Sequence, residues 1–189
     1  AYFVFGTLAT KVGKKVKIAE GTYERNEGKR TPASVWGSGF ADAACALAAL
    51  AFHGDGALCT TLRTGFVASF ATKLSDTVAS EIGKAYGRTT ILITSLKPVP
   101  RGTDGAVSLE GTFAGLAASA VYSALAWRLG QVDPTGAAVC VCAAFVATNL
   151  ESLLGATLYA RVLNNDVVNI IMISAGAAVA MGIKLALGS

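Results

Sequence analysis

The sequence predicts an all-α protein, a polytopic transmembrane bundle of about five to six spans. Three observations predict it. Hydrophobic residues make up 53% of the chain and charged residues only 15%, where a soluble domain carries about 25%. The mean hydropathy is +0.54. The apolar residues fall in runs of about 20, the length that crosses a bilayer, separated by polar turns. Many of them are Ala and Gly, which let helices approach closely where lipid supplies no hydrophobic drive between them. The 189 residues suit a single integral membrane domain.

Residues 1–10 read as the end of an incomplete first span, apolar but too short to cross at 1.5 Å per residue. Residues 11–36 are a polar, basic loop with Gly21, Gly28 and Pro32. Residues 37–53 form an Ala-rich span closed by the tight turn His53-Gly54-Asp55-Gly56. Residues 57–82 predict a long helix that starts apolar and turns polar after Thr72. Residues 83–110 are a second basic polar loop, with Pro98 and Pro100. Residues 111–130 form a span that ends at the Asp133-Pro134 turn, and residues 135–161 form another. The turn Asn164-Asn165-Asp166 leads to the last span, residues 167–187. Cys45, Cys59, Cys140 and Cys142 lie in these apolar stretches without metal-ligand spacing and read as small buried residues. On a helix, Cys140 and Cys142 point to nearly opposite faces.

Charge gives the topology. Seven of the sixteen basic residues lie between Lys11 and Arg30. In a soluble chain such a cluster suggests nucleic acid; in a membrane protein the bias of basic residues toward one side explains it, and no nucleic-acid partner is expected. The loops at 11–36, 83–110 and 161–166 fall on one side and hold Lys11, Lys14, Lys15, Lys17, Arg25, Lys29, Arg30, Lys84, Arg88, Lys97, Arg101 and Arg161. The opposite turns hold His53, Asp55 and Asp133, with Arg128 and Lys184 near them. The long loops are therefore expected in the cytosol, or in the stroma of a plastid.

Three constellations carry possible chemistry. In the first, Lys73, Asp76, Thr77, Ser80, Glu81 and Lys84 share an arc of about 140° on the long helix. The second is the loop from Lys97 to Thr112. Lys97 and Arg101 offer charge to phosphate oxygens, Asp104 and Glu110 offer hard oxygen ligands for Mg²⁺, and Gly102 and Gly105 flank Thr103-Asp104 so that backbone can approach a ligand. The third lies in or beside the last spans: Asn149, Glu151 and Ser152, then Asn165, Asp166 and Asn169. At the bilayer centre, Asp76, Glu81 and Glu151 would together cost roughly 8–10 kcal/mol on insertion scales. They must sit near the interface, pair with Lys73, Lys84 or Arg63, or face a polar cavity. Solvated loop acids are the alternative for Asp104 and Glu110. Gly37-Ser38-Gly39 reads as a helix entry and His53 as a bystander.

These motifs are similar to those of a known family. Thr72-Lys73-Leu-Ser-Asp76-Thr-Val-Ala-Ser80-Glu81-Ile-Gly83 and Leu96-Lys97-Pro-Val-Pro-Arg101-Gly-Thr-Asp104-Gly-Ala-Val-Ser-Leu-Glu110-Gly111-Thr112 resemble the phytyl-phosphate kinase family of chloroplasts and cyanobacteria, part of a wider multispanning group. The likeness continues through Gly28-Lys29-Arg30-Thr-Pro32, Asn149-Leu-Glu151-Ser152-Leu-Leu-Gly155-Ala156 and Leu163-Asn164-Asn165-Asp166-Val-Val-Asn169. A looser likeness, through Asp76, Ala79, Glu110, Gly111 and Thr112, links the chain to CTP-dependent polyprenol and phytol kinases. Ser38 stands where relatives often have Asn.

The resemblance implies phosphoryl transfer from a nucleoside triphosphate, CTP or ATP, to phytyl phosphate, giving phytyl diphosphate for tocopherol and other prenyl lipids. It implies catalytic and Mg²⁺-binding roles for Asp76, Glu81 and Glu110, with Asp104 as a further metal ligand. Lys73, Ser80, Lys97, Arg101, Gly102, Thr103, Gly105, Gly111 and Thr112 would hold nucleotide and phosphates. Asn149, Glu151, Ser152, Asn165, Asp166 and Asn169 would line the acceptor side. It also implies a chloroplast membrane, thylakoid or envelope, with the basic loops facing the stroma. A non-catalytic subunit of a larger thylakoid complex is the first rival, separable by stoichiometric co-purification without turnover. A transporter is the second, disfavoured because the ionisable groups cluster toward one side.

Overall fold

The computed structural model describes residues 2–23, 32–52, 56–157 and 164–188. Among the described residues, seven helices run in chain order: α1 (Tyr2–Lys11), α2 (Lys14–Ala19), α3 (Pro32–Ala51), α4 (Gly56–Tyr86), α5 (Leu109–Arg128), α6 (Pro134–Thr157) and α7 (Asn165–Ala186). A small antiparallel hairpin, β1 (Ile91–Leu92) with β2 (Ala106–Val107), stands between α4 and α5. The all-α reading therefore holds for the bulk of the chain, with a two-stranded addition. The expected features at Arg25, Gly28, Lys29, Arg30, His53–Asp55, Arg161 and Leu163 lie outside the described residues.

Local chemistry explains the helix starts. Pro32 opens α3 at the first helical position, where a missing N–H costs nothing. Ser108 caps α5 by accepting from Gly111 N, and Asn164 caps α7 by accepting from Val167 N. Asp133 accepts from Gly136 N at 2.6 Å just before Pro134 opens α6. Its other carboxylate oxygen accepts from Lys184 Nζ at 3.0 Å, tying the α5–α6 turn to the end of α7. Lys184, followed by the Gly136 N–H, holds the Asp133 carboxyl below the usual carboxylate range.

Two expected loops are shorter than the sequence suggests. The segment 11–36 contains α2, and α3 begins five residues before the expected span, with Pro32 at its first position and the Ser38 hydroxyl satisfied by Ser34 O inside the helix. Helix α4 continues to Tyr86 rather than ending at 82, since its polar C-terminal half still has strong helix formers and packed neighbours.

Three helical stretches among the described residues are long and apolar enough to cross a membrane: Ser34–Ala51, Pro134–Thr157 and Asn165–Ala186. Length and apolarity alone thus support three of the five to six expected spans among the described residues. Helix α4 carries Arg63, Lys73, Asp76, Glu81 and Lys84, and α5 is rich in Gly, Ser and Ala with Glu110 and Arg128 at its ends. Large apolar side chains such as Trp36, Leu47, Leu50, Phe113 and Val121 are nevertheless exposed on the outside of the bundle. A surface of that kind needs a nonaqueous neighbour.

Helix α4 lies at the centre and contacts every other helix. Its packing relies on small residues. On α5, Gly111, Gly115, Ser119 and Ser123 recur every four positions and are all buried. A Cβ on Gly111 would stand 2.6 Å from Ala79 O, and one on Gly115 would stand 2.8 Å from Ser75 O. On α7, Gly176 sits directly against Thr72. Two apolar clusters, one around Val67, Val139 and Cys140 and one around Cys45, Met172 and Ile173, meet at Phe66. Cys45 and Cys140 are buried as the sequence suggests, whereas Cys142 is exposed and Cys59 half-buried, because each lies on the outward side of its helix.

Gly115→Leu is expected to force α5 off α4 and lower the thermal midpoint of the solubilised protein, overpacking costing about 1–3 kcal/mol. Gly182→Leu is the control, since nothing lies within 4 Å of a Cβ there. Equal midpoints for the two variants would contradict the close α4–α5 contact.

Candidate active site

The polar half of α4 organises the site. Lys73 is buried, yet its ammonium is satisfied by Asp76 Oδ2 at 2.7 Å and Asn169 Oδ1 of α7 at 2.7 Å. One residue thereby joins two helices across a polar space. Two turns further along, Glu81 is also buried and is held by Lys17 of α2 and by Lys84 at 3.4 Å. Lys17 is wholly buried and also donates to Thr10 O at 2.7 Å. Thus a lysine expected to act only as a topology signal anchors α1 and α2 to α4. Ser80 is exposed on the cavity side of this helix.

The hairpin forms a roof. Arg101 is committed to the end of α4: Nε donates to Gly87 O at 2.6 Å, and Nη1 reaches Ala85 O at 3.3 Å and Glu20 Oε1 at 3.0 Å. Gly102 and Gly105 have φ of 79° and 75°, a region that favours glycine. The sequence suggests that these glycines let backbone approach a ligand. In the structure their closeness serves protein contacts instead. Gly102 lies against Thr22, and Gly105 lies against Ser152 and Ala156 of α6, where a Cβ would stand 2.6 Å from Ser152 O. This contact fixes Thr103 and Asp104 at the cavity rim.

Helices α6 and α7 supply the facing wall. Asn149 and Ser152 bond back to Phe145 O and Thr148 O, while Glu151 lies within electrostatic reach of Asp76, Lys73, Asp104 and Lys84. Asn165 and Asn169 line the same wall from the first turns of α7.

These elements enclose a cavity of about 610 Å³. It receives the C-terminal half of α4 and the C-terminal end of α6, together with the N-terminal ends of α3, α5 and α7, so it opens at the end of the bundle that carries the basic loops. Of the residues singled out in the sequence, Lys73, Asp76, Ser80, Glu81, Arg101, Gly102, Thr103, Asp104, Gly105, Gly111, Thr112, Asn149, Glu151, Ser152, Asn165 and Asn169 line it.

Three do not. Glu110 turns toward the α4–β1 connection, where Oε1 accepts from Arg88 N at 3.1 Å. Lys97 is exposed in the hairpin loop. Asp166 packs its backbone on Gly37 of α3. The set Asp76, Glu81, Asp104 and Glu110 therefore does not converge: among the described residues no group of three His, Cys, Asp or Glu side chains is placed to hold a metal unaided. Carboxylates that line the cavity singly still suit Mg²⁺, which keeps waters and takes much of its coordination from substrate phosphates.

The cavity also holds groups that the sequence did not mark as site residues, notably Thr10, Ser34, Ser38, Thr90 and Ser108. Their hydroxyls come from four separate segments, with Ser34 and Ser38 one turn apart on α3, so local spacing does not bring the set together. The arrangement puts three cations, Lys73, Lys84 and Arg101, in one chamber with Asp76, Glu81, Asp104 and Glu151. Such a chamber can hold several phosphate groups with a divalent cation, and can exclude bulk water on its helical sides.

The family model described as "Integral membrane protein DUF92" matches residues 1–177. An uncharacterized membrane protein of Synechocystis sp. is 52% identical over 186 residues, covering 97% of this chain and 71% of the relative. Protein VTE6, chloroplastic, of Arabidopsis thaliana is 52% identical over 185 residues, covering 96% of this chain and 56% of the relative, so the chain spans little more than half of that protein. An uncharacterized membrane protein of Methanocaldococcus jannaschii is 31% identical over 174 residues, covering 90% of this chain and 68% of the relative. No solved structure matches the chain.

Proposed function

The chain belongs to the integral membrane protein family DUF92, and on that premise we propose that it is a membrane-embedded prenyl-phosphate kinase that converts phytyl phosphate to phytyl diphosphate. The observation that carries this reading is the cavity itself, polar, cation-bearing and open at the basic-loop end of apolar helices. The motif resemblance to phytyl-phosphate kinases and the 52% identity to a chloroplastic plant protein support it. They also favour a plastid membrane, with the basic loops toward the stroma, and a place in tocopherol and related prenyl-lipid synthesis. In this reading α4 and α5 cross the membrane beside the three apolar spans, their polar groups turned inward.

The reaction asks little covalent chemistry of the protein. An oxygen of the acceptor phosphate attacks the terminal phosphorus of CTP or ATP, the bond to the bridging oxygen breaks, and the nucleoside diphosphate leaves with that oxygen's electron pair. The acceptor is already anionic near neutral pH, its second pKa being about 6, so no general base is needed. Positioning and charge stabilisation dominate. Lys73, between Asp76 and Asn169, is the cation best held to meet the transferring group, and Lys84 supplies a second positive charge. Asp76, with Asp104 or Glu151, would hold the divalent ion, and Mg²⁺ supplies charge neutralisation between the donor's phosphates. Thr112 offers a hydroxyl to phosphate oxygens, Thr103 spends its own on Pro100 O and shapes the rim, and Asn149, Ser152 and Asn165 line the acceptor side. Glu81, committed to Lys17 and Lys84, steadies the wall rather than reacting. Glu110 supports the roof.

Purified protein in liposomes containing phytyl monophosphate is expected to move the terminal phosphate of labelled CTP or ATP into a lipid diphosphate when Mg²⁺ is present. Geranylgeranyl and farnesyl monophosphates test the acceptor. Absence of transfer from every nucleoside triphosphate would overturn the assignment, and stoichiometric co-purification with a thylakoid complex would then favour a subunit role.

A further inference from the structure

The first turns of α7 bring hydrogen-bond donors to the polar cavity that the fold leaves unspent. Asn169 is only 7% exposed and lines the cavity. Its Oδ1 accepts from Lys73 Nζ at 2.7 Å. A lysine ammonium can only donate, so this bond fixes which way the amide points. The Nδ2 group, with its two N–H donors, has no partner among the described residues and is left to the cavity. Lys73 has three donors, and Asp76 and Asn169 take two of them, which leaves the third. Asn165, four residues earlier on the same face, lines the cavity as well. The Asn164 side chain satisfies Val167 N, while the N–H groups of Asn165 and Asp166 have no acceptor among the described residues. They form the positive end of a 22-residue helix. That end is held in place by α3, where a Cβ on Gly37 would stand 3.2 Å from Asp166 O.

A buried amide N–H pair, an ammonium N–H and the start of a helix together suit an anion with several oxygens. Asp76 and Glu151 face the same space and would repel a bare anion, so the ligand that fits is a phosphate bridged to them by a divalent ion. Depth decides which phosphate. The Lys73 side chain is 8% exposed and that of Lys84 is 26% exposed. Lys84 lies eleven residues further along α4, about 16 Å at 1.5 Å per residue, on the side of the hairpin roof. A nucleotide arrives from water and meets Lys84 and the start of α5 first. A lipid's phosphate is held down by its tail, and it is the one that reaches the deeper cation.

We propose that the start of α7 is the subsite for the acceptor's phosphate, and that Asn169 makes the protein select a prenyl monophosphate over the corresponding prenyl alcohol. This rests on the kinase reading above and fixes its substrate class. Asn169 acts twice: Oδ1 holds Lys73, and Nδ2 donates to a phosphate oxygen. Lys73 thereby moves from the nucleotide side, where the motif resemblance puts it, to the acceptor side. An alcohol brings one oxygen and no charge to this subsite, so the amide and the third N–H of Lys73 stay unpaired. Sites built to hydrogen-bond a group reject analogues that lack it far more strongly than apolar pockets reject a missing methylene.

Two measurements test it. In the first, protein in lipid nanodiscs with Mg²⁺ and no nucleotide is titrated with phytyl monophosphate and with phytol. Wild type is expected to bind the monophosphate about 100-fold or more tightly than the alcohol. Asn169→Asp keeps an oxygen for Lys73 but replaces the amide donor with a charge that repels phosphate. It is expected to weaken monophosphate binding about tenfold or more, the scale of one charge-assisted hydrogen bond, while the affinity for CTP or ATP and the thermal midpoint stay unchanged. Equal affinity for phytol and its phosphate, an unchanged monophosphate affinity in Asn169→Asp, or an equal loss for the nucleotide would overturn the subsite. The second measurement uses wild type alone. A prenyl monophosphate with a diazirine beside its phosphate is photolysed with the protein, and label is expected between Asn165 and Asn169. Label confined to α5 or to the hairpin would overturn the proposal. If the monophosphate binds through Asn169 yet no nucleoside triphosphate gives transfer, the kinase reading fails and the lipid-phosphate subsite stands. Transfer to phytol as readily as to phytyl phosphate would leave a kinase and remove the subsite.

Discussion

Asp76→Asn is expected to lower phosphotransfer about 100-fold or more, the scale on which loss of one electrostatic group at a reacting centre is felt. Asparagine keeps the shape and still offers an oxygen to Lys73, so the α4–α7 connection through Asn169 survives. What disappears is the negative charge needed to hold a divalent ion and to keep Lys73 aimed. Stability and activity separate the two roles. If Asp76 only neutralises buried Lys73, the activity lost in Asp76→Asn tracks a lowered thermal midpoint and does not respond to the divalent ion. If it holds the ion, the Asp76→Asn protein keeps its fold and needs a markedly higher Mg²⁺ concentration for what turnover remains. Full activity in Asp76→Asn protein, checked for intact insertion, would defeat the assignment.

Lys17→Met is expected to be the most destabilising change on the loop side. Lys17 is fully buried, and Glu81 is 3% exposed. Removing one partner of such a pair costs about 3–5 kcal/mol, because the other charge stays buried. Lys84, at 3.4 Å, offsets only part of that loss. Helix α2 and Thr10 at the end of α1 should loosen together, seen as a lower thermal midpoint and faster proteolysis near Gly13. Lys17→Met/Glu81→Gln should recover much of the midpoint, since a neutral pair leaves no isolated charge. A Lys17→Met midpoint equal to that of wild type would show that the pair contributes nothing.

The helices were legible in the sequence because lipid-scale apolar runs are long, and their ends carry recognisable chemistry such as Asp133-Pro134 and Asn164. The hairpin was not, because Ile91–Leu92 and Ala106–Val107 are each two residues long and pair across a loop whose order comes from Arg101 and Gly105 contacts elsewhere. The acids on α4 were found by their shared face. Their partners were not: Lys17 and Glu81 are separated by 64 positions, and Lys73 and Asn169 by 96. Helical spacing reports what lies on one helix and carries no information about what a second helix brings to it. For the same reason Glu110, prominent in its motif, was expected beside Asp76, although the first turn of α5 rotates it toward Arg88. Ser38, dismissed as helix entry, lines the polar cavity.

Helix α4 has 31 residues, about 46 Å at 1.5 Å per residue, against a hydrocarbon layer about 30 Å thick. If it crosses upright with its apolar end anchored, roughly 16 Å stands proud of the layer by the same rise, and that overhang is the stretch bearing Asp76, Glu81 and Lys84. The helix then works as a gauge of bilayer thickness. In a membrane of matched depth the reacting chamber sits level with lipid headgroups, and a phosphate tethered to a buried tail reaches it without strain. In a thicker membrane the chamber would sink below the headgroups, and in a thinner one it would rise beyond the tether's reach, so the composition of the surrounding lipid becomes a determinant of turnover.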